Sequence, residues 1–349
     1  MKRTDPRKLL PLALLLFAVS LMAAACSHLN RVGVPLPSLD SLFSGESLRK
    51  LVLPDLDTDT VTVLVLGLDD AENLTDVMMV VRLDVEERRA TLLQLPRDLY
   101  VGETAGVTGK LNAVFGWKGS TEQGAKAVKQ VLKDQMDLQI DYYLLVDMAT
   151  VRDAVDDLGG ITVDVPGTIY YLPGKALYPG VQTLTGEEAE WLIRTRNIYA
   201  DGDIGRMRAQ LLFLSGAVDA VKAQRLPDLA ALATRYYSRV ETDMPLDVIM
   251  GALPILMGME ADTLTTLTVP LLEFAMNGEY AVFVASRYKL AVLLEEHFDV
   301  DTNRVVTPWG PPESEEAEPK IEDASDIWDD IFKAPNWKIT PWFHTFYLC

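Results

Sequence analysis

The sequence predicts an α/β fold: a central mixed β-sheet flanked by helices on both faces. Three observations predict it. Val61–Leu68 (VTVLVLGL) is almost wholly apolar and rich in β-branched residues, as expected of a strand buried on both faces. Similar short apolar runs alternate with helical patterns as far as Phe298. With 349 residues and 49% apolar content, the chain can bury a large core.

The elements follow in order. After the first strand, Gly67-Leu68-Asp69-Asp70 opens a short acidic loop that runs to Leu74-Thr75-Asp76. Val77–Val85 reads as a second strand, Glu86–Arg89 as a tight polar turn and Ala90–Leu95 as a third strand, stopped at Pro96-Arg97-Asp98. Val101–Gly109 is a glycine-containing loop that leads to Lys110-Leu111-Asn112. Ser120-Thr121-Glu122-Gln123 has the form of a capping box. It opens a helix whose apolar face is Ala125, Val128, Val131, Leu132 and Met136. Asp141–Val146 is a strand, Thr150–Leu158 a helix stopped by Gly159-Gly160, and Ile161–Val165 another strand.

Pro166–Gly186, with Tyr170, Tyr171, Tyr178, Pro173 and Pro179, reads as a long irregular loop, a lid or groove wall. Gly186–Arg194 is a helix, and Ile204–Gln224 a long one. Helices are expected over Asp228–Ser238 and over Leu246–Gly258, the latter broken at Pro254. Strands are expected over Leu264–Val269 and Tyr280–Val284, and a last helix over Ser286–Phe298.

The ends differ in character. Lys2, Arg3, Arg7 and Lys8 precede an apolar run, Leu9–Ala25, that ends in Ala23-Ala24-Ala25-Cys26. This pattern fits an export signal cleaved before a lipidated Cys26. An uncleaved single-pass anchor is the other reading, although the run is short for a span and contains Pro11. Either way the N-terminal region, residues 1–26, leaves the rest outside the cytoplasm and tethered to the membrane, through the lipid on Cys26 or through an uncleaved anchor. Residues 27–60 form a proline-containing spacer and 61–300 the main domain. Residues 301–349 form an acidic tail (Glu313–Glu318) with aromatic side chains such as Trp328, Trp337 and Trp342.

Charge narrows the function. The net charge is −19, and it becomes −22 when residues 1–25, with four basic and one acidic residue, are removed. Such a chain does not suit nucleic acid, which needs a basic face. Two cysteines and three histidines offer no zinc or thiol-catalysis pattern, so a metal would be oxygen-ligated: Mg²⁺, Mn²⁺ or Ca²⁺. Against this acidic background Arg194–Arg208 gathers Arg194, Arg196, Arg206 and Arg208. Guanidinium groups suit phosphate oxygens, which they can bind two at a time. A solvated face with ion pairs to Asp201 and Asp203 is the plainer reading. Asp69, Asp76 and Asp98, at strand ends, would share a crevice with Arg97, or else are turn-forming aspartates.

Taken in order, the motifs are G-L-D (Gly67–Asp69), T-D (Thr75-Asp76), P-R-D (Pro96–Asp98) and K-L-N (Lys110–Asn112). Then come D-Y-Y (Asp141–Tyr143), G-G (Gly159-Gly160), L-T-G-E (Leu184–Glu187), R-T-R (Arg194–Arg196) and D-x-x-R (Asp203–Arg206). This order resembles the LytR-CpsA-Psr family of cell-envelope proteins over about Val61 to Leu214. The resemblance implies an α/β sandwich that binds a polyprenyl pyrophosphate-linked glycan, with the lipid tail in an apolar tunnel. It implies transfer of the glycan phosphate to peptidoglycan, with release of polyprenyl phosphate.

By the same resemblance, Asp69 and Asp76 would hold Mg²⁺, with Mn²⁺ as the alternative. Arg97, Arg194, Arg196 and Arg206 would grip the diphosphate, with help from Lys110. Asp98 and Asp203 would orient those groups, with Asp98 also a candidate base. Asn112 and Gln210 would complete the donor site. Two departures stand out. Leu74-Thr75-Asp76-Val77 replaces the usual Arg-Ser-Asp-Thr, and Ala209-Gln210 replaces the usual Arg-Gln; Arg208 is the candidate substitute for the second missing arginine. A non-catalytic binder of lipid-linked glycan, or a hydrolase that uses water as acceptor, fits the same residues.

Overall fold

The computed structural model describes residues 59–68, 74–116, 121–196, 198–199, 202–224, 263–306 and 308. Between 228 and 259 it describes 228–229, 232, 235–245, 248–249, 252, 255 and 257–259. The export signal, Cys26, the spacer up to residue 58, Asp69, Ser120 of the expected capping box and the aromatic tail lie outside the described residues. No helix among the described residues is long and apolar enough to cross a membrane.

The strands are β1 (Thr60–Leu68), β2 (Thr75–Asp84), β3 (Arg89–Gln94), β4 (Tyr142–Val146), β5 (Ile161–Val165) and β6 (Ile169–Leu172). They continue with β7 (Lys175–Leu177), β8 (Gly180–Leu184), β9 (Glu241–Thr242), β10 (Leu264–Thr268), β11 (Leu271–Asn277) and β12 (Tyr280–Ala285). The helices used below are α1 (Leu111–Gly116), α2 (Thr121–Met136), α3 (Met148–Asp157), α4 (Gly186–Arg194), α5 (Asp203–Lys222) and α6 (Arg287–Phe298). Six strands form the central mixed sheet in the order β10-β3-β2-β1-β4-β9. The α/β class expected from the alternation is the class observed.

The chain divides into two compact units. Of the described residues, the strand-end unit gathers those in Thr62–Arg82 and Thr91–Tyr143 and those from Thr265 on. Of the described residues, the helical unit gathers those up to Val61, those in Leu83–Ala90 and those in Leu144–Leu264.

In the strand-end unit, Leu64, Leu66, Met78, Val80 and Leu93 are buried, so the apolar runs that predict β1–β3 do form the middle of the sheet. α2 buries Ala125, Val128, Val131, Leu132 and Met136, the five residues of its predicted stripe. The fold continues past residue 300: Val305 is fully buried, and Val306 N donates to Gln135 O at 2.7 Å.

One carboxylate here makes stability depend on pH. Burial pushes the Asp141 carboxyl above its usual range, against the opposing effects of a bond from Thr62 N (2.7 Å) and the Lys129 charge. The folded chain therefore holds this proton more tightly than the unfolded chain. The stability from this group is full below the usual carboxylate range and is lost as pH rises through the raised folded value. Asp141→Asn keeps an acceptor for Thr62 N but cannot ionise. In urea unfolding, its stability relative to wild type will increase as pH is raised from about 4 to about 7. A difference that stays flat with pH would remove Asp141 from the account.

In the helical unit, Val151, Val155, Ile161, Val163, Leu184, Leu192, Ala209 and Phe213 belong to one apolar cluster. The sequence reading is corrected in this unit. Pro166–Gly186 is not an irregular loop. β6 and β7 form an antiparallel hairpin around Pro173-Gly174, and β8 pairs antiparallel with β5 from Ile161↔Leu184 to Val165↔Gly180. Leu184 and Ile169 fall on the buried side while Val181, Thr183 and Tyr170 stay exposed. This period-two pattern is masked in the sequence by the prolines and glycines at the turns.

β11 also goes unread in the sequence. It pairs with β12 through the two-residue loop Gly278-Glu279, and Gly278 takes a φ of 62°.

Candidate functional site

In the strand-end unit the cationic and acidic candidates meet where β3 ends. Pro96 cannot donate to a sheet partner, so the strand stops there. The chain from Arg97 is pinned by its own backbone: the carbonyls of Arg97, Asp98 and Leu99 accept from Asn112 N (3.0 Å), Phe283 N (2.9 Å) and Leu111 N (2.8 Å). Three successive carbonyls are thus held by α1 and β12, which fixes the direction of the intervening side chains.

Arg97 Nη1 lies 2.5 Å from Asp76 Oδ1, at the start of β2, and Arg97 Nε lies 3.7 Å from Asp98 Oδ1. Lys110 Nζ lies 3.2 Å from the same Asp98 oxygen. All four side chains are half-buried, and Asn112 is buried at the head of α1. Lys110 depends on its neighbour Gly109, which takes a φ of 70° and packs against Tyr100. A Cβ at 109 would come within 2.4 Å of the Tyr100 ring. Leu74, where the resemblance expects arginine, is exposed.

This group suits a polyanion. Two cations are ordered by two carboxylates on a fixed loop, so an arriving phosphate finds guanidinium and ammonium groups already in place. As to metal, no cluster of three or more candidate ligands occurs among the described residues. Asp76 is the one proposed metal ligand that is described. A hard cation held by one or two carboxylates, with phosphate oxygens and water filling its other positions, is compatible with that donor set.

In the helical unit, α4 begins with Thr185 as N-cap. Its side chain accepts from Glu188 N, and the Glu188 side chain in turn accepts from Thr185 N, completing a capping box. The helix delivers Arg194 in its last turn, where Nη1 pairs with Glu190 Oε1 at 2.8 Å. Arg196 is exposed just beyond, and its carbonyl accepts from Tyr199 N at 3.1 Å.

On α5, Asp203, Arg206 and Gln210 are spaced three and four apart and share one face. Arg206 is buried, and its Nη2 lies 2.6 Å from Asp203 Oδ1. Gln210 is also buried and donates through Nε2 to Ile193 O at 3.4 Å, tying α5 to the end of α4. Arg208 does not share this face: two residues along a helix is a rotation of about 200°. Ala209 is fully buried in the apolar cluster, where the small side chain serves packing.

The strand-end unit thus holds Asp76, Arg97, Asp98, Lys110 and Asn112. The helical unit holds Arg194, Arg196, Asp203, Arg206 and Gln210. Sequence reasoning passed over Glu190 and its second partner, Arg152 of α3, at 2.6 Å. The four-residue step from Glu190 to Arg194 was a visible signal. The pairing with Arg152 was not visible, because it depends on how two helices pack.

An α/β domain with ordered arginine–carboxylate groups in an acidic chain is the class that fold and side chains define. The chain belongs to the LytR_cpsA_psr family, whose model matches residues 41–298. Among curated proteins it is 26% identical over 318 residues to the polyisoprenyl-teichoic acid–peptidoglycan teichoic acid transferase TagV of Bacillus subtilis, covering 84% of this chain and 80% of that one. It is 27% identical over 238 residues to TagT of the same organism, covering 63% of this chain and 72% of TagT. The crystal structure of B. subtilis TagV superposes with a TM-score of 0.60 at 26% identity, covering 70% of this chain and 99% of that one.

Proposed function

We propose that this protein is an extracytoplasmic glycopolymer transferase. It moves a glycan phosphate from a polyprenyl diphosphate donor to a hydroxyl of peptidoglycan, and a lipidated Cys26 or an uncleaved N-terminal anchor holds it at the membrane. The carrying observation is the Arg97–Asp76 and Lys110–Asp98 group on its pinned loop. The name of TagV, matched over most of both chains, supports the donor and acceptor classes.

In this reaction the acceptor oxygen forms a bond to the phosphorus that carries the glycan. The bond from that phosphorus to the bridging oxygen breaks, polyprenyl phosphate leaves with the electron pair of that bond, and the acceptor proton passes to the leaving phosphate or to solvent. Little covalent chemistry falls to the protein, so positioning and charge stabilisation dominate. We assign Arg97 and Lys110 to the diphosphate oxygens, and Arg194, Arg196 and Arg206 to the same ligand class. Asp98, whose Oδ1 already faces Lys110 and Arg97, orients them. The Asn112 backbone N–H holds the Arg97 carbonyl, and the Gln210 side chain holds Ile193 O, next to Arg194. Asp76, together with Asp69, would hold Mg²⁺, or Mn²⁺ in its stead, and when bound the cation neutralises charge on the diphosphate.

The test uses full-length protein in detergent, a polyprenyl diphosphate disaccharide, muropeptide and Mg²⁺. The expected products are a glycan-phosphate–muropeptide adduct and polyprenyl phosphate, both detected by mass spectrometry. Release of glycan phosphate into water at the same rate without muropeptide would make the protein a hydrolase. Absence of any product from folded protein would defeat the transferase reading.

A further inference from the structure

We infer that Glu190 is a positioning residue for Arg194 in diphosphate binding, which rests on the reading above. The Glu190 side chain is only 6% exposed, yet it carries a carboxylate into the helical unit. Each oxygen is taken by a different arginine: Oε1 by Arg194 Nη1 at 2.8 Å and Oε2 by Arg152 Nη1 at 2.6 Å. Two partners on two oxygens fix the rotation of the carboxylate as well as its place.

The backbone leaves this arrangement little freedom. Gly186, at the head of α4, lies so close to α3 that a Cβ there would fall 2.1 Å from Arg152 O. Gly186 N also donates to Asp156 Oδ1 at 2.7 Å. The two helices are therefore in backbone contact just where Arg152 departs towards Glu190. At the other end of α4, Gln210 holds Ile193 O, the residue before Arg194. Arg194 keeps 29% of its side chain exposed while its Nη1 end is clamped. The group of two arginines and one glutamate retains one net positive charge. Anion attraction thus survives, and the cost of ordering the guanidinium is met during folding rather than on binding.

The experiment measures geranyl diphosphate binding to full-length protein in detergent by calorimetry. Wild type is compared with Glu190→Gln, Arg194→Ala, the two combined, and Arg152→Met. Glu190→Gln and Arg194→Ala are each expected to weaken binding about tenfold, with the combined variant no weaker than Arg194→Ala alone. Arg152→Met leaves the Glu190–Arg194 pair in place. It removes one of the two partners that fix the carboxylate, so it should lower the unfolding midpoint and weaken binding, by about threefold and less than Glu190→Gln does. If Glu190→Gln fails to fold, the apolar replacement Glu190→Leu with Arg152→Leu stands in, and the same tenfold loss is expected.

Additive losses in the combined variant would mean that Glu190 does not act through Arg194. A Glu190 variant that binds like wild type, while Arg194→Ala loses affinity, overturns the positioning role and leaves the transferase reading standing. Wild-type protein that does not bind the diphosphate overturns both.

Discussion

Replacing Arg97 with alanine will lower transfer by about 10²- to 10³-fold in kcat/KM, the loss typical of removing one preorganised charge-stabilising donor. The reason lies in how Arg97 is held. Its carbonyl accepts from Asn112 N, its Nη1 sits 2.5 Å from Asp76 and its Nε faces Asp98. The guanidinium is thus ordered before any ligand arrives, and it is partly shielded from water, where charge acts more strongly. Arg97→Lys keeps the charge but loses the planar fork, so it cannot serve Asp76 and a phosphate oxygen together. It should recover only part of the loss. Circular dichroism and thermal unfolding of each variant separate lost chemistry from lost structure, because Asp76 loses a partner in both. An Arg97→Ala protein that is folded and within threefold of wild type would take Arg97 out of the mechanism.

The motif residues of the strand-end group were legible because strand patterning and chain-breaking residues fix where they fall. The apolar run of β3 ends at Pro96, so Arg97 and Asp98 had to stand at a strand end. The helix that carries Arg194 was legible to the residue, since α4 spans Gly186–Arg194 as read. The hairpins were less so. Gly278 marked a turn between β11 and β12, yet Glu273 and Asn277 diluted the apolar signal of the first strand. What could not be read was the electrostatic state of the arginines. Arg206, read as one of the arginines that grip the diphosphate, is among the largest fully buried side chains. Glu190, unremarked in its helix, binds two arginines. Burial and cross-helix pairing depend on packing, which leaves no periodic trace in the sequence.

That burial makes Asp203→Ala the substitution expected to cost the fold most. The side chains of Arg206 and Asp203 are 2% and 11% exposed, and their charged atoms lie 2.6 Å apart. Removing one member of a buried ion pair leaves the other charge in a poorly solvating environment, a penalty of about 3–5 kcal/mol. The helix adds to it. Arg206 lies near the N-terminal end of α5, where the helix dipole disfavours a cation, and Asp203 in the first turn offsets that. Urea unfolding should therefore show a large stability loss for Asp203→Ala and a smaller one for Asp203→Asn, which keeps an acceptor. The decisive variant combines Asp203→Leu with Arg206→Met. With both charges gone, the apolar pair should recover most of the lost stability, as replacements of buried ion pairs do. Under the proposed reaction the same protein should still lose transfer, because the guanidinium assigned to the diphosphate is absent. Recovered stability with retained transfer would make Arg206 a structural residue alone.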